Sequence, residues 1–126
     1  MENPEEIGFV IIGAAIEVHS HLGPGLLESA YQKCHAYELQ NHGLVTACEV
    51  ALPLRYKELS MEVGYRLDTI VEGRVLVEHK CVEKILPVHE AQLLTYLRLS
   101  GIRLGYLINW NVPLIKNGIK RMMNGF

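Results

Sequence analysis

Asp68, Glu78 and Lys80 stand in RLDTIVEGRVLVEHK, residues 66 to 80. Two carboxylates on neighbouring strands can hold a hard divalent cation, which takes oxygen ligands and keeps several waters for a phosphate to replace. Lys80, two residues beyond Glu78, could orient or help deprotonate a cation-bound water, or stabilise charge developing on a phosphate. Without a cation the same arrangement is poor design, because like charges placed opposite one another on a sheet repel. The plain alternative is a solvated strand face with a weak ion pair.

Geometry decides between these readings. Alternation predicts that Tyr65, Leu67, Thr69 and Val71 share one face and Arg66, Asp68 and Ile70 the other. On the next strand Val75, Val77 and His79 oppose Leu76, Glu78 and Lys80. A three-residue loop of Glu72, Gly73 and Arg74 would set Asp68 directly opposite Glu78. A two-residue turn at Glu72 and Gly73 would separate them unless a bulge intervened.

The elements that must carry these residues are legible in outline. A helix is expected from Glu5 to His19, with Pro4 and acidic residues at its start, and HSHLGPG, residues 19 to 25, reads as a turn. The second helix should follow Gly25 and stop at Gly43, with Leu27, Ala30, Tyr31, Cys34, Tyr37 and Leu39 on its apolar side. Three strands, LVTACEVALPLRYK, LSMEVGYRLDTIV and RVLVEHKC, read as an antiparallel meander. Residues 88 to 100 then return to helical spacing, and IRLGYLINW is a fourth strand. LIKNGIKRMM reads as a hairpin about Asn117 and Gly118, or as a helix from Pro113. The order ααβββαβ, with this short C-terminal hairpin or helix, implies an α/β fold with a mixed central sheet.

Composition sets the limits. The chain has 126 residues, 49% apolar and 21% charged, which suits one domain spanning 1–126. No apolar run is long enough to cross a membrane, and the acidic N-terminal stretch does not resemble a secretory signal. Three cysteines, Cys34, Cys48 and Cys81, without a CxxC pair, suggest a reducing, cytoplasmic setting and buried apolar roles. A net charge of −2 restricts any nucleic-acid contact to local basic groups such as Lys116, Lys120, Arg121, Arg98 and Arg103. Solvated strand ends explain those five equally well. The histidines, including His19, His21 and His35, lack zinc spacing. Gly23, Pro24 and Gly25 lack the GK[ST] of a phosphate loop and read as a turn leading into a helix.

Two further motifs accompany the charged triplet: GLLESAY, residues 25 to 31, and QLLTY, residues 92 to 96. In order with the Asp and the ExK, they make the chain resemble the GxxExxY family of the PD-(D/E)XK nuclease superfamily, from about Glu6 to Asn124. Gly25, Glu28 and Tyr31 match the motif that names the family. The resemblance implies a three-layer α/β/α, restriction-endonuclease-like core. It implies Mg²⁺ or Mn²⁺ held by Asp68, Glu78 and the backbone carbonyl of His79, with Lys80 catalytic. Glu28 would add an acid, and Gln92 and Tyr96 would approach from the helix after the ExK strand. Gln92 and Tyr96 lie four apart on one helical face, so amide and phenol could hold an acid, Lys80 or a phosphate, or simply pack.

The implied activity is metal-dependent hydrolysis of phosphodiester bonds by an activated water, in DNA rather than RNA. The alternative is a non-catalytic nucleic-acid- or protein-binding module that keeps the nuclease fold. A homodimer placing two sites along a duplex would offset the small surface of one chain.

Overall fold

In the computed structural model, which describes residues 3–125, the first helix α1 (Pro4–Leu22) begins at a capping box. The Asn3 side chain accepts from the Glu6 N–H at 2.9 Å, and the Glu6 carboxylate accepts from the Asn3 N–H at 3.1 Å. Met1, Glu2 and Phe126, the ends of the expected 1–126 domain, lie outside the described residues. The helix runs past His19 to Leu22 and stops where Gly23, at φ 67°, donates its N–H to the His19 carbonyl. The expected turn is therefore shorter than HSHLGPG. Helix α2 (Glu28–Asn41) follows.

The strands are β1 (Thr46–Ala51), β2 (Leu54–Tyr56), β3 (Leu59–Met61), β4 (Arg66–Val71) and β5 (Val75–Lys80). Helix α3 (Pro87–Ser100), strand β6 (Leu104–Asn109), a 3₁₀ turn over Ile115–Gly118 and β7 (Ile119–Met123) complete the chain. Two of the three expected strands are each broken in two. Pro53 removes a ladder donor after β1, and Gly64, at φ 84°, precedes β4. The segment between them forms its own β2–β3 hairpin, tipped by Lys57 and Glu58, apart from the main sheet.

The main sheet has five strands in the order β1-β4-β5-β6-β7. Only β5 and β6, joined through α3, run parallel, so the sheet is mixed as expected. At the C-terminus neither sequence reading holds. Asn117 and Gly118 close the 3₁₀ turn, and β7 pairs antiparallel with β6 across a loop from Trp110 onwards. Gly118 is needed for space, because a Cβ there would lie 2.2 Å from the Asn109 carbonyl oxygen.

Strand alternation builds two cores and thus three layers. Val75, Val77, Tyr106 and Ile108 face Ile7, Ile11, Ala14 and Tyr31 of α1 and α2. Leu76 and Leu107 face Leu93, Tyr96 and Leu97 of α3. Gly8 lets α1 sit against the sheet, since a Cβ there would meet the Tyr106 hydroxyl. The buried stripe of α2 is Tyr31, His35 and Leu39, whereas Leu27 and Tyr37, expected on its apolar side, are exposed. Of the cysteines expected to be buried, Cys34 and Cys81 are half-buried against the first core and Cys48 is exposed. Its strand lies at a sheet edge with only β4 as neighbour, which leaves its side chain open.

Among the described residues no helix is long and apolar enough to cross a membrane.

Candidate active site

The β4–β5 loop has the odd length that would bring the carboxylates together. Val71 pairs with Val75 around Glu72, Gly73 and Arg74, with Glu72 at φ 55° and Gly73 at φ 64°. Asp68 is thereby in register with Glu78. The ladder nevertheless ends one step earlier, at Thr69 and Val77. Beyond that point side chains replace backbone pairing: the Asp68 N–H donates to the Glu78 carboxylate at 2.9 Å, and the His79 N–H donates to the Asp68 carboxylate at 2.8 Å. The two strands part here and the carboxyl groups fill the gap.

Strict alternation fails at the same point. Thr69 and Val71 face α1 and α2 as a pair, but Leu67, expected beside them, packs in the core beneath α3. Asp68 is the residue at which β4 changes faces. On its other side β1 pairs normally at Cys48 and Val50, while Glu49 between them takes φ 55° and pairs with nothing across the strand. Equal numbers of residues lie on both strands, so this is a local twist without an inserted residue.

Glu78 is only 3% exposed, and its pKa is pushed up to about 8 by burial first and by the Asp68 charge second. Burial likewise raises Asp68, with Glu49 and Glu28 adding to the effect and the His79 N–H and Lys80 opposing it. The pair resists carrying two negative charges unless a cation arrives. Two carboxylates and a backbone carbonyl form a hard-oxygen set of the kind Mg²⁺ and Mn²⁺ accept, so the residues present fit such an ion. No group of three or more His, Cys, Asp or Glu side chains among the described residues forms a metal site. A set completed by a main-chain carbonyl needs only two such side chains.

Lys80 is brought to this pair and anchored. Its Nζ donates to Gln92 Oε1 at 2.9 Å, and Gln92 Nε2 donates to the Tyr96 hydroxyl at 3.3 Å. Of the partners open to the amide and the phenol, Lys80 is the one the amide holds. The Tyr96 ring also packs in the α3 core, and burial and the Glu78 charge raise its pKa. Glu28, first residue of α2, accepts from the Cys81 N–H at 3.2 Å and shares a cleft of about 440 Å³ with Asp68. An acid at a helix N-terminus is favoured by the helix dipole.

The other GxxExxY positions aim Glu28 without entering the cleft. Gly25 adopts φ 103°, a conformation that favours glycine. The Tyr31 hydroxyl donates to the Gly23 carbonyl at 2.5 Å and accepts from the Leu26 N–H at 3.2 Å, tying down the segment before Glu28. Its ring stacks on Trp110, with centroids 4.8 Å apart and planes 4° from parallel.

Sequence reasoning missed several supporting residues. The Trp110 indole N–H donates to His79 Nδ1 at 3.0 Å, so the neutral imidazole carries its proton on Nε2, towards Thr69 at 3.1 Å. Burial, then His35, lowers the His79 pKa well below its ordinary value. The Asn109 amide accepts from the Val82 N–H at 3.1 Å and donates to the Val82 carbonyl at 2.9 Å, and the Trp110 N–H bonds the Lys80 carbonyl at 2.9 Å. The end of β5 is thus clamped on both sides of Lys80. Glu49, held by Gln32 at 3.0 Å, also lines the Asp68 cleft. An Asn closing the apolar run LGYLIN was a usable signal for Asn109; Glu49 gave none.

The remaining candidates behave as ordinary structure. His19 and His35 are buried against main-chain oxygens of Trp110 and Ile11. Burial lowers the His35 pKa to about 4, despite an opposing bond to Ile11. Lys120 pairs with Glu90 at 3.3 Å, and Arg121 with Glu5.

No curated protein and no solved structure matches the chain. A model of the PD-(D/E)XK nuclease superfamily matches residues 5–122. Nucleases of that superfamily generally use divalent metals. The match spans nearly the whole chain and includes the splayed strands, the cleft and the helix behind Lys80, so the chain belongs to the PD-(D/E)XK nuclease superfamily.

Proposed function

We propose that the protein is a metal-dependent nuclease of the GxxExxY group that hydrolyses phosphodiester bonds at the gap between β4 and β5. The observation that carries this reading is the meeting of Asp68 and Glu78, both with raised pKa, beside an ammonium held by Gln92. Asp68, Glu78 and the His79 carbonyl would hold Mg²⁺ or Mn²⁺, and Glu28 would add negative charge at the cleft. The bound ion supplies activation of water and neutralisation of phosphate charge. Lys80 contributes a fixed positive charge to a phosphate oxygen, and Gln92 keeps it from swinging away. Tyr96 holds Gln92 in turn.

DNA in preference to RNA, a cytoplasmic setting, a single domain over 1–126 and a homodimer belong to the same proposal. The family match supports a nucleic-acid substrate in general, the unpaired cysteines the cytoplasmic setting, and the near-complete span of the match the single domain.

Asp68→Asn and Lys80→Ala should each lower Mn²⁺-dependent cleavage of DNA by roughly a hundredfold or more. Mn²⁺ should raise the melting temperature of the parent and not of Asp68→Asn. Cleavage equal to the parent in both variants would mean a contaminating nuclease. Nucleic-acid binding without any cleavage would establish the non-catalytic module instead.

A further inference from the structure

On the α3 side of the sheet, next to Lys80, lies an open pocket of about 320 Å³ whose walls include Leu54, Tyr65, Val88, Gln92, Tyr96 and Leu99. Tyr65, Val88 and Leu99 leave much of their apolar surface in solvent, Tyr65 being 46% exposed. The Tyr65 and Tyr96 rings stand 6.3 Å apart, inclined by 59°. Two polar side chains of the pocket are engaged within the protein: Gln92 with Lys80 and Tyr96, and Thr95 with Arg98 at 3.3 Å. The pocket therefore offers mainly flat aromatic and aliphatic walls.

Its position relative to the carboxyl pair is what selects an occupant. The bonds from Lys80 through Gln92 to Tyr96 run without a break from the place of the phosphate charge into the pocket wall. Glu78 and Lys80 lie two apart on β5 and share a face, and Lys80 bonds Gln92 of the wall, so wall and carboxyl pair are neighbours. A nucleotide with its phosphate at Lys80 would carry its base to these rings. A paired base is held in its own stack and cannot reach them without being flipped out, whereas an unpaired base can stack at little cost.

We propose that this pocket receives an unpaired nucleobase beside the phosphodiester at Lys80. The substrate is then single-stranded nucleic acid, or a duplex with unpaired nucleotides at an end, flap or mismatch. This rests on the nuclease reading and narrows it. Because the walls act mainly by stacking, preference among the bases is weak.

The test is fluorescence anisotropy in Ca²⁺, using a labelled oligothymidylate of about twelve nucleotides, the same strand annealed to its complement, and the same strand with abasic sites. The parent should bind the single strand about tenfold or more tighter than the duplex. Tyr65→Ala should weaken single-strand binding roughly tenfold, leave duplex binding unchanged, and bind the abasic strand as the parent does. Tyr65→Phe, which keeps the ring, should match the parent. The assignment is overturned if Tyr65→Ala binds the single strand as the parent does, weakens both strands equally, or is no weaker than Tyr65→Phe. If the parent cleaves duplex and single strand alike with Mn²⁺ and Tyr65→Ala changes neither, the pocket assignment falls and the nuclease reading stands. A parent that binds and cleaves neither nucleic acid overturns both, and an apolar group of another partner becomes the occupant.

Discussion

Glu78 shows how burial turns an ordinary carboxylate into a charge sensor. The folded protein holds a proton up to about pH 8 that an ordinary Glu releases near 4.5. Between those values the native state binds more protons than the unfolded chain, so stability falls as pH rises through the window. In EDTA, the melting temperature should decline between about pH 5 and pH 8, and Glu78→Gln, which carries no charge to desolvate, should flatten that decline. Mn²⁺ added at pH 8 should offset it in the parent. A parent curve already flat in EDTA would mean that the pair carries its charges comfortably and needs no cation. At this scale the sequence revealed residue types and spacing, and it did not reveal burial, which converts two acids into a site.

Among the elements, the segment leading into α2 has the clearest division of labour. Gly25 turns the chain, Tyr31 clamps the turn and Glu28 faces the cleft, which accounts physically for a motif of three residues at fixed spacing. Tyr31→Phe keeps the stack on Trp110 but leaves the Gly23 carbonyl and the Leu26 N–H without their shared partner. It should cost about 1–3 kcal/mol in urea unfolding, with an unchanged denaturant slope. A loss near zero would mean that water replaces the hydroxyl and that the clamp is dispensable. Helix α3 was legible nearly to the residue, because Pro87 and Gly101 bracket a periodic run. The β2–β3 hairpin was less so. Pro53 and Gly64 both signalled breaks, and the β-branched and aromatic residues around them outweighed those signals in a reading by composition.

For the molecule as a whole, a single sheet serves two cores and carries the site at the point where two of its strands separate. The net charge of −2 gives such a chain little general attraction for phosphate backbones. A second copy would add binding surface that one chain lacks, and this supports the proposed homodimer. Sedimentation equilibrium at micromolar concentration should then return twice the 14.2 kDa chain mass. A species of 14.2 kDa that does not change with concentration would remove the dimer and leave the site unaffected.

The sequence by itself determined the succession of helical and strand regions up to β6, the mixed sheet and the residues of the charged triplet and its two companion motifs. These follow from local information, periodicity and turn residues, while the structure decided between a three-residue loop of Glu72, Gly73 and Arg74 and a two-residue turn. Tertiary structure alone decided that the ladder would stop at Thr69, that β4 would change faces at Asp68, and that Leu67 would leave the side of Thr69. Those outcomes depend on β1, β5 and both cores acting on one strand together, and no alternation pattern within the strand encodes them. Tertiary structure also selected Lys80 as the partner of Gln92 and assigned Trp110, His79 and Asn109 to holding the end of β5. Contacts between residues tens of positions apart are set by packing, and packing is where a charged hairpin became a candidate active site.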